Sequence, residues 1–301
     1  MRAGTVPAVS DGVLLVDKPP GVTSTRVLGA AKRALGLRKA GHTGTLDPFA
    51  TGLLPLVFGE ATKFSRFLLD ADKTYRAQLR LGFTSTTGDT EGDVTAFAGF
   101  SPAMEAVSPV LEGVLGPLDQ VPPMHSALRV DGQRLYDLAR QGMEVPREAR
   151  RVHIYELEML SFSAEFLEIS VKCSKGTYVR TLAEEIGRRL GCGAYLTALR
   201  RTAIGRFRVE EALTPEALAA MGELAARERL LAPEALVESL PVLDLAEEAA
   251  RALCNGREWP VDPAGGEGEF GVFGPGHRFL GVGRVKAGRL SAARLLHTGH
   301  G

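Results

Sequence analysis

The chain has 301 residues, 45% hydrophobic and 24% charged, with 36 basic and 36 acidic side chains that leave no net charge. That length buries a core large enough for two domains, and the composition is that of a soluble globular protein. No basic segment leads into an apolar one at the start, and no apolar run approaches bilayer length, so a soluble cytoplasmic protein without membrane association is expected.

The three cysteines, Cys173, Cys192 and Cys254, form no CxxC pair, and the six histidines form no HxxxH. A disulfide framework is therefore not expected, nor is a metal.

Gly12 to Val16 reads as a short buried strand stopped by Lys18-Pro19-Pro20-Gly21. Ser24 is placed to cap a helix with inward Val27, Leu28, Ala31 and Leu35 and a stop at Gly36. The glycine-rich turn Gly41 to Pro48 follows, and a second helix is predicted from about Ala61 to Leu69. Lys73 to Leu81 is the clearest strand, with Tyr75, Ala77, Leu79 and Leu81 on one face and Arg76, Gln78 and Arg80 on the other. Gly88 to Asp93 is a polar loop. Met104, Val107, Val110, Leu111 and Val114 have helical spacing. Residues 117–150 form an arginine-bearing excursion with a turn at Asp131-Gly132 and a short helix at Leu135 to Ala139, the kind of long connection that carries binding function.

Phe166 to Cys173 alternates as a strand. Val179, Leu182, Ala183, Ile186 and Leu190 then mark a strongly amphipathic helix closed by Gly191. Arg180 lies in its first turn, where a cation opposes the helix dipole at a cost of ~0.3–1 kcal/mol; it needs a partner elsewhere. Thr214-Pro215 starts a further helix. Beyond about residue 240, the runs Phe279 to Val285 and Leu290 to Leu296 flank the turn Lys286 to Arg289 as a hairpin in a small β-rich module.

Charge is uneven along the chain. Residues 171–208 hold nine basic and two acidic side chains, and residues 209–248 two basic and ten acidic. Zero net charge thus leaves room for a basic face, although solvated helix faces are the simpler account.

The turn at 41–48 holds one carboxylate, Asp47, with no second beside it. Gly41 and Gly44 permit positive φ and close backbone approach, Pro48 biases Asp47 toward an extended conformation, and Thr43 and Thr45 can bond the turn's own amides. An acid so placed is either a turn initiator or a reactive group. Tyr75 is a core residue by alternation, or a ring that stacks on a nucleobase. Tyr178 and Arg180 project from the beginning of a helix.

These stretches resemble a known family. Gly41-His42-Thr43-Gly44-Thr45-Leu46-Asp47-Pro48 with Ala50-Thr51-Gly52-Leu53-Leu54 is similar to the catalytic loop of the TruB-type tRNA pseudouridine synthases. Matching segments follow in the family's order: Asp17-Lys18-Pro19 with Gly21 to Ser24, Gly59 to Lys63, Lys73-Thr74-Tyr75, Thr90-Glu91-Gly92, Gln120 to Met124 with Ser126-Ala127-Leu128, Cys173 to Thr181, and Leu199-Arg200-Arg201. The likeness spans about residues 12–205. It implies an α+β fold, with a mixed α/β sheet in a catalytic domain at 1–238 that carries an RNA-gripping insertion at about 120–150. A small β-rich, PUA-like RNA-binding domain at 239–301 completes it.

The implied activity is isomerisation of uridine 55 in the T-loop of tRNA, without a cofactor. By carry-over Asp47 is the essential carboxylate, Tyr75 stacks on the target base, Tyr178 meets the base from another side, and Leu199 completes the pocket wall. His42 fills the space that the flipped base vacates, and Arg180 is the expected partner of Asp47. The excursion at 120–150 and the basic stretch 171–208 would grip phosphates. His125 stands where the family carries an aromatic ring. The short N-terminus and the wording Phe49-Ala50-Thr51-Gly52 favour the stand-alone form over the RNA-guided relative, so no guide RNA or protein partner is expected; a monomer is expected as well. A non-catalytic tRNA-binding module would be favoured had Asp47 or Tyr75 been missing.

Overall fold

The computed structural model describes residues 10–97, 102–124, 126, 129–130, 132–163, 165–262 and 265–297. Its largest sheet has nine strands: β1 (Gly12–Lys18), β2 (Ala40–His42), β3 (Thr51–Phe58), β4 (Lys73–Leu81), β7 (Gly116–Gln120), β10 (Arg150–Phe162), β11 (Phe166–Cys173), β12 (Ala194–Ile204) and β13 (Phe207–Arg208). Between them lie two hairpins, β5 (Phe83–Ser85) with β6 (Val94–Ala96) and β8 (Arg129–Val130) with β9 (Gln133–Arg134).

The sheet order is β1-β3-β12-β4-β11-β10-β7, with β2 added to β3 and β13 to β12. The alternating strand β4 is interior, antiparallel to both β11 and β12. Its Ala77, Leu79 and Leu81 are buried and its Arg76 exposed, as alternation requires.

Helix α5 (Val179–Arg189) lays Leu182, Ala183 and Ile186 on this face, where they join Leu79, Leu167, Ile169 and the Val107 and Leu111 of α3 (Met104–Glu112). Each large apolar side chain buried there contributes roughly 1.5–3 kcal/mol. Helix α1 (Ser24–Leu35) packs Val27, Ala31 and Leu35 on Leu14, Val16, Leu54 and Leu56. Its cap is Thr23, whose side chain accepts from the Arg26 amide, and it ends on Gly36 in the left-handed region. Ser24, expected as the cap, is instead the first helical residue and fully enclosed.

The stretch predicted as one helix from Ala61 divides into a 3₁₀ turn at Gly59–Phe64 and α2 (Ser65–Asp70). The predicted excursion contains β7, the β8–β9 hairpin and α4 (Leu135–Arg140). His125 and Asp131 lie outside the described residues.

Strand β3 carries Pro55 inside a sheet and was not predicted. On one side it pairs with β1 throughout. On the other, β12 pairs only at Thr51 and Gly52, and β2 only at Leu56 to Phe58. The interval at 53–55 is a break in the ladder. The carbonyl of Pro55 faces this side, where the Thr43 amide donates to it, so the ring nitrogen lies where no ladder bond is required. The catalytic-loop candidate, residues 43–50, enters the sheet at this break.

Downstream come α6 (Pro215–Ala220) and α7 (Glu223–Arg227), and then a five-stranded sheet ordered β14-β16-β17-β18-β15. Its strands are β14 (Val242–Asp244), β15 (Trp259–Pro260), β16 (Gly268–Gly274), β17 (Arg278–Lys286) and β18 (Arg289–Leu295), with α8 (Glu247–Cys254) against them. The β17–β18 hairpin turns where the sequence placed it. The two sheets share one apolar cluster, in which Phe273, Phe279 and Val282 pack with Val13, Leu53, Phe64 and Ile204. The rings of Phe64 and Phe279 are 5.4 Å apart.

Candidate active site

After β2 the chain turns at Gly44, whose φ is +117°, and three buried side chains hold the next residues. The Nη2 of Arg201 donates to the Gly44 carbonyl at 3.0 Å, and its Nε to Leu53 at 2.8 Å. The hydroxyl of Ser24 accepts from the Leu46 amide at 2.9 Å and donates to the Leu46 carbonyl at 3.0 Å. The three protons of the Lys18 ammonium are taken by the carbonyls of Pro19, Val22 and Pro48 at 2.7 to 3.1 Å. Asp47 therefore sits between fixed neighbours. Thr43 bonds β3 instead of its own turn, and Gly41 is an ordinary strand residue opposite Val57. Burial lowers the Lys18 pKa to about 8, against the opposing pull of Asp47 and Glu91.

Arg180 is the second residue of α5 and is 5% exposed. Its Nη2 lies 3.0 Å from Oδ2 of Asp47, and its Nη1 lies 3.3 Å from Oδ2 of Asp89, which is 1% exposed. The same Nη1 donates to the Thr87 carbonyl. Asp89 is itself held by the Thr87 hydroxyl and the Glu91 amide. Arg180 thus spans two carboxylates. The cost of its place in the helix's first turn is met by neighbours from two loops. Burial raises the Asp47 pKa, Arg180 and Lys18 pull it down, and the like charge of Asp89 pushes it up; the balance is upward.

Asp47 lines a cleft of about 260 Å³ together with Tyr75, Leu199, Tyr178, Arg180, Thr45 and Ser126. Tyr75 comes from β4 and Leu199 from β12, where it faces Ala77 of β4. Tyr178 is the residue before α5, and the Gln120 side chain clasps its backbone, accepting from its amide and donating to its carbonyl. Burial raises the phenol pKa of both tyrosines.

Five of the six residues singled out from the sequence thus share one cleft. His42 does not line it; it ends β2, partly buried, and its Nδ1 has no hydrogen-bond partner. Burial and the nearby Arg201 lower its pKa, which keeps the imidazole neutral at pH 7. Among the described residues no group of three or more histidines, cysteines and carboxylates is placed to hold a metal ion.

Sequence reasoning passed over Asp89, Lys18, Ser24 and Arg201 as site-forming residues. Asp89 read as one acid in a polar loop, and its only signal was its nearness to Thr90-Glu91-Gly92. In the basic stretch 171–208, Arg208 is exposed, while most of the other cations have a carboxylate close by. Lys172, Lys175, Arg188, Arg189, Arg200 and Arg206 each meet a carboxylate, and Arg180 and Arg201 are buried.

A carboxylate held by a cation, in a cleft that two tyrosines also line, can act on the sugar of a nucleoside bound there. Comparison with known proteins bears on that chemistry. The model of the TruB family pseudouridylate synthase N-terminal domain matches residues 32–179. The tRNA pseudouridylate synthase B C-terminal domain model matches 180–240, and the Pseudouridine synthase II TruB C-terminal model matches 241–296. The tRNA pseudouridine synthase B of Azoarcus sp. is 54% identical, covering 96% of each chain, and that of Dechloromonas aromatica is 51% identical, covering 93% of each. Among solved structures, a chain of a Cbf5-Nop10-Gar1 complex is 28% identical with a TM-score of 0.71, over 92% of this chain and 79% of that one.

Proposed function

The chain belongs to the TruB family of pseudouridylate synthases and isomerises uridine to pseudouridine in tRNA, and from that premise we propose that its target is uridine 55 of the T-loop and that Asp47 is the essential carboxylate. The observation that carries the reading is the cleft itself. The Asp47 carboxylate, 3.0 Å from Arg180, shares it with Tyr75, Tyr178 and Leu199, and it has room for a single flipped nucleoside.

A uridine in a folded loop is out of reach, so it must leave its stack, at a cost of a few kcal/mol. Tyr75 then supports the base, Tyr178 closes on it, and Leu199 bounds the pocket, while His42, neutral and outside the cleft, fills the vacated place in the RNA. Ionised Asp47 acts on the ribose. The N1–C1′ bond breaks, the base turns, and a C5–C1′ bond forms; the proton lost from C5 is balanced by the one gained at N1. No atom or electron is added, so the reaction needs no cofactor. Arg180 favours the carboxylate that burial disfavours.

The stretch 1–238 serves as the catalytic domain, with the 120–150 insertion gripping RNA, and 239–301 as a PUA-like RNA-binding domain. The protein acts in the cytoplasm as a monomer without guide RNA or protein partner. No helix among the described residues is long and apolar enough to cross a membrane.

The test is to incubate the purified protein, alone, with unmodified tRNA and map pseudouridine. Product at position 55 supports the reading. Product only with an added guide RNA or protein contradicts the stand-alone form, and product elsewhere contradicts the target.

A further inference from the structure

Arg201 is 1% exposed, among the largest fully buried side chains of the protein. Among the described residues no carboxylate pairs with it; its recorded hydrogen bonds go to the backbone carbonyls of Gly44 and Leu53. It also faces Tyr75 directly across the β12–β4 pairing, close enough for its charge to oppose the rise that burial gives the phenol pKa. A guanidinium buried without an anion costs several kcal/mol in desolvation, and an apolar residue would fill an interior strand position more cheaply. The groups it meets explain the expense. Gly44 opens the turn that carries Asp47, and Tyr75 lines the same cleft from a different strand. Leu53 lies at the break in the β3 ladder, so Arg201 replaces a missing strand neighbour there.

The backbone is built around this residue. Gly52, paired with Arg201 in parallel register, has φ +102°, and a Cβ on it would lie 2.3 Å from the Arg201 carbonyl oxygen. The side chain thus leaves β12 from a tightly fixed point.

We propose that Arg201 is a positioning residue that locks the Tyr75 ring and the Gly44 end of the catalytic loop to each other. One planar fork of donors ties the surface that receives the base to the loop that presents the carboxylate. Arg200, its neighbour in the chain, points to the opposite side and pairs with Asp17 at 2.7 Å, so the two arginines of Leu199-Arg200-Arg201 have different tasks. The inference rests on the function proposed above. It also explains why the loop needs a fixed orientation: a displacement of about 1 Å at a reacting group costs on the order of 100-fold in rate.

The experiment compares wild type, Arg201→Lys, Arg201→Met, Tyr75→Phe and Arg201→Lys/Tyr75→Phe for tRNA affinity and for the single-turnover rate of pseudouridine formation. Arg201→Lys keeps the charge and loses the fork. The expected result is a rate loss of about 10- to 100-fold with affinity within about twofold. The double variant should be little slower than the slower single one, because both changes break the same link. Rate factors that multiply in the double variant, or a loss confined to affinity, would overturn the proposal. So would an Arg201→Lys protein with wild-type rate. Should Arg201→Met fail to fold, the Arg201→Lys and Tyr75→Phe cycle still decides. A wild type that forms no pseudouridine would overturn the function and this proposal together; an active wild type with unaffected variants would overturn this proposal alone.

Discussion

Replacing Arg180 with methionine removes the cation that spans Asp47 and Asp89 while keeping much of the buried stem. Two unit charges about 4 Å apart attract by about 4 kcal/mol at an effective dielectric of about 20. The Asp47 side chain is one-third exposed (33%), which weakens the attraction. The direction is set by the sign of the lost term. Arg180 lowers the Asp47 pKa, burial has already raised it, and without Arg180 it rises further. If Asp47 is the essential carboxylate, as proposed, activity needs the ionised acid, and the rising limb of the pH–rate profile should move to higher pH. Single-turnover rates with saturating tRNA across that limb would show it. A profile that falls in height but keeps its wild-type position would refute the argument that Arg180 holds Asp47 ionised. The same variant leaves Asp89 buried without its cation, at a cost of about 3–5 kcal/mol. Arg180→Met/Asp89→Asn should recover most of that stability without recovering rate.

Three further outcomes follow from the structure. Tyr75→Ala should lower the single-turnover rate by far more than its stability loss of about 2 kcal/mol suggests for a half-buried ring; a rate near wild type would make Tyr75 a packing residue only. Gly52→Ala should cost about 1–3 kcal/mol from its backbone conformation alone, with the clash on Arg201 added, and a melting temperature equal to wild type would contradict the close approach. Glu60 is held at about 2 by hydrogen bonds from Lys39 and Lys63. Its folded pKa is depressed, so its contribution is present above the ordinary glutamate value and fades as pH falls toward 2. The exposure of its partner Lys39 makes the effect modest and salt-sensitive. Wild type should therefore lose stability more steeply than Glu60→Gln between pH 5 and 2 in denaturant titrations, and equal slopes would contradict this.

The elements legible from sequence were those with one wet face. β4 alternates because its other face meets water at Arg76, and α1 and α5 show helical periodicity because each covers the sheet with one stripe. β3 had no period to read: seven of its eight residues are buried, and it carries a proline, Pro55, which a strand accepts only where no ladder bond is needed. β12 was obscured by Arg200 and Arg201, which look like surface charges although one is among the most enclosed side chains in the protein. The site was legible to the same degree. Asp47, Tyr75, Tyr178 and Arg180 stand in short segments whose residue types announce chemistry, whereas Asp89 and Arg201 matter through long-range contacts that local pattern does not encode. Opposition to the helix dipole was a physical signal that Arg180 had a partner, and it meets two carboxylates, those of Asp47 and Asp89.

The central claim is that Asp47, set in a loop held by Lys18, Ser24 and Arg201, performs the chemistry instead of merely shaping the turn. Its ionised form is disfavoured by burial, so asparagine there should leave the fold intact at neutral pH. The most direct measurement is Asp47→Asn incubated with unmodified tRNA, with affinity and pseudouridine recorded on the same preparation. The account predicts wild-type affinity and no pseudouridine; product formed at a rate comparable to wild type would contradict it.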